Sequence, residues 1–398
     1  MAPFTTLALV SITSRILVAG LEIPPPTGPY HVGSKPYVLN HTTINDPIAP
    51  NNISTSILVN VYYPTHDSDS SQRYVWPGLA AAYETYYGIP PGSFGNTTAS
   101  IAFDANPLSH TLPLPTLLFF SPFAGPPSQM FHGLISELVS RGYTVISNDH
   151  PYEQPYLQYP NGTSYTGHSV DWSPSPDIIP PTIAYRISDN SAVLDALPSI
   201  SKQLKIPLNF THFAFFGHSL GGSAALAQIL AERNHTTSRN KTFLGAINLD
   251  GTIFGRASVN DSSVDLGVPS FLFSSSLHRR YSDPTWPIFE SWQTGWRKEI
   301  RTLGRTNHTD FSDLIFMKQA NGIAGGGDVI SAKTFLNYTR TFVGAFFEML
   351  IGGGEDVLKG DAQVQQEWPS IVFEFNNTGD PCASEFGNLC SSEYAGPQ

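Results

Sequence analysis

The chain has 398 residues, of which 40% are hydrophobic, 12% aromatic and only 13% charged, a balance that excludes an intrinsically disordered protein and allows a sizeable core. Lys plus Arg number 21 against 32 Asp plus Glu, for a net charge of -11, which argues against nucleic acid as a partner because a polyanion calls for a basic patch. Two cysteines are too few for a disulfide-rich scaffold or a four-cysteine zinc site.

Residues 1–20 read as a signal peptide: an apolar stretch over 7–18, broken by Arg15, ends in the small residues Ala19 and Gly20. The stretch falls short of the about 20 apolar residues that a bilayer span requires, so secretion is expected. Eleven glycosylation acceptor triplets, at Asn40, Asn52, Asn96, Asn161, Asn209, Asn234, Asn240, Asn260, Asn307, Asn337 and Asn376, point the same way. In an oxidising compartment Cys382 and Cys390 are expected to pair.

Residues 21–398 read as one domain. A Pro-rich lead over 21–36 is followed by a strand at 56–63, where apolar residues alternate. A polar excursion occupies 65–109. The apolar run LPTLLFFS at 114–121, bounded by prolines, suits a strand buried on both faces of a parallel sheet. A helix at 131–140, stopped by Gly142, leads to a strand at 143–148. The segment 151–181, rich in Pro, Tyr and Ser, reads as a long loop. A helix at 183–200, a strand at 212–216, a helix at 220–232 and a strand at 245–249 come next. Strands at 270–275 and 299–303 and a helix at 330–350 complete the pattern. This alternation predicts an α/β fold with a mostly parallel central sheet and helices on both faces.

Gly217-His218-Ser219-Leu220-Gly221 is a G-x-S-x-G pentapeptide between a predicted buried strand and a predicted helix. That is the setting of a nucleophile elbow, a turn so tight that residues two positions either side of the serine must lack side chains. A serine needs an adjacent base to become nucleophilic, usually a histidine oriented by a carboxylate. With this elbow the chain order is serine, acid, histidine. Only His235, His278 and His308 follow Ser219. His235 lies in an acceptor triplet at the polar end of the helix, and His308, after the last predicted strand, is preferred over His278. Asp250, at the end of the strand GAINLD, is preferred as the acid over Asp283, because α/β active sites gather at the carboxyl ends of strands.

The residues Gly28-Pro29-Tyr30 with Val32-Gly33, Val61-Tyr62-Tyr63-Pro64, GHSLGG at 217–222, AINLDGTIF at 246–254 and NHTDFSD at 307–313 together resemble the platelet-activating factor acetylhydrolases, secreted-type calcium-independent phospholipases A2 with an α/β-hydrolase fold. The resemblance implies Ser219 as nucleophile, Asp250 as acid and His308 as base, with no metal and no cofactor. It also implies a phospholipid substrate with a short or oxidised sn-2 acyl chain. An oxyanion hole needs two backbone N–H donors. One is expected at Leu220, the residue after the nucleophile, and alignment of Ser121-Pro122-Phe123-Ala124-Gly125 places the other at Ala124, with Phe123 as the alternative. The family usually has His-Gly where this chain has Pro122-Phe123, and Pro122 has no N–H to donate.

Rival readings are a broader carboxylesterase or polyester hydrolase using the same machinery, and a glycosylated binding protein that has lost catalysis. The low charge implies that any contact with lipid surfaces is hydrophobic. A glycan at Asn307 would crowd the proposed base, so that acceptor is expected to be unmodified or turned away. Phe289, Trp292 and Trp296 share one helical face and read as core. Asp149-His150 reads as a hydrogen-bonded structural pair, with no zinc or EF-hand spacing beside it. His218 is expected to pack under the elbow.

Overall fold

The computed structural model describes residues 20–67, 72–167, 176–233, 235, 240–323 and 329–377. The predicted signal segment up to residue 19, the acceptor Asn234, and Cys382 and Cys390 lie outside the described residues.

Ten strands form one sheet: β1 (His31–Ile44), β2 (Ile53–Thr65), β3 (Ala102–Phe103), β4 (Thr116–Phe120), β5 (Thr144–Asp149), β6 (His212–His218), β7 (Thr242–Leu249), β8 (Ser270–Ser274), β9 (Arg297–Thr302) and β10 (Ile371–Asn377). Their order is β10-β9-β8-β7-β6-β4-β5-β2-β1-β3. Neighbours from β5 through β9 are parallel. Antiparallel pairing brings in β2 beside β5, β1 beside β2 and β10 beside β9. The helices are α1 (Pro77–Tyr86), α2 (His132–Ser140), α3 (Ile179–Leu204), α4 (Leu220–Glu232), α5 (Thr285–Trp292), α6 (Leu314–Ala320), α7 (Ala332–Leu350) and α8 (Ala362–Glu367).

Because successive side chains on a strand face opposite ways, the central strands feed two cores. Leu117 and Phe119 of β4 and Ala214 and Phe216 of β6 pack with residues of α2, α6 and α7. Leu118, Phe120, Phe213 and Phe215 pack with residues of α3 and α4. Both faces of β4 are thus buried, as its unbroken apolar run predicts. The chain leaves β4 towards β5 on one side and resumes at β6 on the other, so the strand order reverses between β4 and β6. In open α/β sheets that reversal opens a crevice at the carboxyl ends of the strands.

Several expectations are corrected. The second half of the presumed Pro-rich lead belongs to β1, where Pro36 sits in register opposite Asn60 of β2. The excursion holds α1 and β3, and β10 and α6 carried no signal that was read. The aromatic residues do not share a helix: α5 ends at Trp292, while Trp296 precedes β9. Trp286, Phe289 and Trp296 are core, whereas Trp292 is partly exposed and donates to Asn260 Oδ1 at 2.8 Å. Asp149 and His150 are both buried but serve different partners. Asp149 accepts from the Ser128 N–H and hydroxyl, while His150 Nδ1 lies 2.9 Å from Asp189 Oδ2.

Candidate active site

The strand β6 passes into α4 through Ser219, whose φ of 57° and ψ of -128° fall in a region normally left to glycine. Such a backbone costs about 1–3 kcal/mol and persists only where its surroundings hold it. The surroundings here are tight. A Cβ on Gly217 would lie 2.3 Å from the Gly221 carbonyl oxygen, and one on Gly221 would lie 2.1 Å from that of Phe120. The Ser219 N–H donates to the Leu249 carbonyl at 2.8 Å, which ties the elbow to the end of β7.

Asp250 follows β7 with a φ of 59°, one of several non-glycine residues held at positive φ at this edge. Its N–H donates to the Phe273 carbonyl of β8 at 2.9 Å. Oδ1 accepts from the Ser275 N–H at 2.6 Å, and Oδ2 lies 2.7 Å from His308 Nδ1. Burial opposes ionisation of Asp250, but hydrogen bonds from His278 and His308 outweigh it and hold the carboxyl below the usual carboxylate range. The Asp250 carboxylate makes Nδ1 the protonated nitrogen of a neutral His308, leaving Nε2 as the basic one.

The sequence Asn307-His308-Thr309-Asp310 presents that imidazole on a short helical turn. Asn307 and Asp310 form a capping box, in which the Asn307 N–H donates to Asp310 Oδ2 at 2.7 Å. Lys318 pairs with Asp310 from α6. A further restraint comes from His218, which proves to be more than packing. Its Nε2 donates to the His308 backbone carbonyl at 2.8 Å, and the two rings lie 4.5 Å apart. Burial lowers the pKa of His218 to about 3, so it stays neutral and its carbonyl-bonded Nε2 carries the hydrogen.

Ser219, Asp250 and His308 line one cavity of about 900 Å3, together with Phe123, Leu220 and Phe254. The structure therefore brings together the three residues chosen from chain order. The two runners-up meet in the same cavity: His278 Nε2 lies 2.9 Å from Asp283 Oδ2, and its Nδ1 lies 3.5 Å from Asp250 Oδ1. His235 is exposed and does not line the cavity.

Leu220 is the first residue of α4, so its N–H has no acceptor within the helix. Ala124 does not fit the role expected of it. Its N–H donates to the Glu153 carbonyl at 3.2 Å, and Phe123, not Ala124, lines the cavity. The cause is a loop arrangement that the sequence did not reveal. Arg186 of α3 is fully buried, pairs with Glu153, and donates through Nη1 to the Ser121 carbonyl at 2.8 Å. Gln154 Nε2 donates to the Ser121 hydroxyl at 3.1 Å. This clamp sets the loop after β4 against the end of β6, where Gly217 pairs with Phe120. A lone arginine in an amphipathic helix gives no warning that it is buried.

Among the described residues one group of side chains, His218, Asp250 and His308, has ligand atoms close enough for a metal, within 4.8 Å of one another. The hydrogen bonds linking His308 to Asp250 and to His218 account for that spacing. No helix among the described residues is long and apolar enough to cross a membrane.

No family model matches the chain. It is 26% identical over 295 residues to a probable 1-alkyl-2-acetylglycerophosphocholine esterase of Arthroderma benhamiae, covering 68% of each chain. Among solved structures it is similar to a ferulic acid esterase from Streptomyces cinnamoneus, with a TM-score of 0.70 and 22% identity over 90% of this chain and all of the other. The chain has the α/β-hydrolase fold.

Proposed function

We propose that this protein is a carboxylic ester hydrolase of the serine type. The observation that carries the reading is a serine on a positive-φ elbow that shares a cavity with a 2.7 Å imidazole–carboxylate pair. Ser219 Oγ attacks the ester carbonyl while His308 Nε2 takes its proton. The Leu220 N–H and a donor from the loop after β4, assigned to Phe123, stabilise the charge on the carbonyl oxygen. Collapse releases the alcohol, which carries away the proton held by His308. Water then repeats the sequence on the acyl-enzyme and frees the acid.

The substrate is read as a phospholipid with a short or oxidised sn-2 acyl chain. Similarity to the Arthroderma benhamiae protein supports this. So does the lining of the cavity, where Phe123, Ile179, Leu220, Phe254 and Leu277 offer apolar surface. Leu277 and the nearby Tyr281 are exposed, which suits hydrophobic contact with a lipid surface. A second reading, small neutral esters, is favoured by the described residues of the cavity lining including no lysine or arginine for a phosphate and by similarity to the ferulic acid esterase. Rates on short-chain phosphatidylcholines, aryl acetates and hydroxycinnamate esters, measured over a range of acyl lengths, distinguish the two. A preference for the phospholipid supports the first reading, and a preference for the simple esters overturns it.

Secretion as a glycoprotein belongs to the same proposal. Asn40, Asn52, Asn96, Asn161, Asn240, Asn260 and Asn337 are all exposed, as acceptors must be.

A further inference from the structure

Each oxygen of the Asp250 carboxylate faces a different histidine. Oδ2 is 2.7 Å from His308 Nδ1, and Oδ1 is 3.5 Å from His278 Nδ1. The second histidine has a carboxylate of its own, Asp283, at 2.9 Å from Nε2, and that carboxylate accepts from the Thr285 N–H and hydroxyl. Trp286 of α5 covers the ring, with centroids 4.6 Å apart, and Trp286 Nε1 donates to the Gly251 carbonyl at 2.8 Å. Asp283, His278, Asp250 and His308 thus form a continuous chain ending at the cavity that Ser219 lines.

We propose that His278 and Asp283 are a positioning dyad for the acid of the triad, in which a permanently charged His278 shares Asp250 with His308 and keeps the base unprotonated in mildly acidic solution. This rests on the serine hydrolase reading. An imidazole hydrogen-bonded to one carboxylate through Nε2 and within ion-pair distance of a second through Nδ1 is favoured in its cationic form. Burial works against that charge, but bonds to Asp250 and Asp283 prevail and push the His278 pKa up to about 10. Beyond Asp250, which it shares with His308, and Asp283, His278 also interacts with the charge of Glu299 of β9, which pairs with Arg280 from the same loop as His278. Arg280 bridges Glu290 and Glu299, and burial together with the charge of Glu299 pushes the Glu290 pKa up to about 8, so the three carry little net charge in mildly acidic solution. A cation on Oδ1 reduces the negative charge that Oδ2 presents to His308, and so disfavours a second proton there. The base then remains available to Ser219 at a lower pH than a simple triad would allow.

The test has two arms. In the first, kcat/KM is measured against pH for wild type, His278→Gln and Asp283→Asn. The acidic limb should move to higher pH by about 0.5–1 unit in His278→Gln, as expected for one unit charge several ångströms away at a partly buried site, whereas in Asp283→Asn, which removes a negative charge and leaves His278 cationic at that pH, it should not move upward. A uniform loss of activity with an unmoved limb in His278→Gln would make the dyad merely structural and overturn the proposal. In the second arm, ring 15N shifts of His278 are followed by NMR in Ser219→Ala, which needs no turnover. An imidazolium persisting above pH 8 is expected, and a neutral ring at pH 7 would overturn the proposal. Wild-type protein that shows the imidazolium but no esterase activity would instead count against the hydrolase reading.

Discussion

His218 Nε2 donates to the backbone carbonyl of His308 at 2.8 Å, so the residue before the proposed nucleophile holds the residue proposed as its base. The sequence distance between them is 90 residues, and the bond fixes the turn that carries His308 relative to the elbow. Deleting the donor leaves a partly buried carbonyl unsatisfied, at a penalty of about 1–3 kcal/mol. His218→Ala is expected to lower kcat by about tenfold or more with a smaller change in KM, as measured by steady-state kinetics. His218→Gln, which can still donate, should recover part of the loss.

The elbow tolerates no Cβ on either side. Gly217→Ala and Gly221→Ala would each bring a methyl within 2.3 Å or less of a backbone oxygen, and backbone cannot move aside as a flexible side chain does. Both variants should be destabilised by about 3 kcal/mol or more, giving insoluble protein or a markedly lower urea midpoint.

The buried Arg186–Glu153 pair governs the loop after β4. Removing one partner of such a pair leaves an uncompensated charge, with a loss of about 3–5 kcal/mol. Glu153→Gln should therefore unfold at lower urea. Because Arg186 also bonds the Ser121 carbonyl and Glu153 supplies the acceptor for Ala124, kcat should fall in the fraction that remains folded.

His132 makes the fold acid-sensitive. Its Nε2 meets the Tyr62 hydroxyl at 3.2 Å, its Nδ1 is buried without a partner, and burial lowers its pKa to about 3. Below the ordinary histidine range the unfolded chain takes up a proton that the folded chain refuses. Stability therefore falls as pH drops from about 6.5 towards 3, by up to about 1.4 kcal/mol per pH unit for this group. Asp313, whose pKa burial raises to about 7, acts in the opposite sense. Its contribution is full below the usual carboxylate range and is lost as pH rises through 7. The variant His132→Phe retains Asp313 and should lose less stability than wild type between pH 7 and pH 4.5, as read from urea unfolding at each pH.

Asn307 is only partly buried, but it lines the cavity and caps the His308 turn. A glycan there would obstruct the cavity. Peptide mapping by mass spectrometry is expected to find Asn307 unmodified in active protein while the exposed acceptors carry sugar. Full occupancy of Asn307 in active protein would contradict this.

The parts of the fold that were legible in the sequence are those where burial is simplest. The strand β4 is apolar throughout, and the β6–Ser219–α4 junction carries its two glycines because the backbone passes within van der Waals distance of itself. Near an edge of the sheet the signal fades: β1 runs through a buried stretch and then a half-buried one instead of alternating, and it contains Pro36. Chain order narrowed the candidates and strand position picked out Ser219, Asp250 and His308, which the structure places in one cavity. Neither could reveal that His278, paired with its rival acid Asp283, would lie beside the same carboxylate as His308. Nor could either expose Ala124, whose N–H is engaged through Glu153 and a buried arginine distant in sequence.

The most direct test is to treat the folded protein with a fluorophosphonate probe and identify the labelled peptide by mass spectrometry. A single adduct on Ser219 is expected, absent in Ser219→Ala and strongly slowed in His308→Ala, with hydrolysis lost in parallel. Wild-type protein that takes up no probe, or hydrolysis that survives in Ser219→Ala, would contradict the assignment.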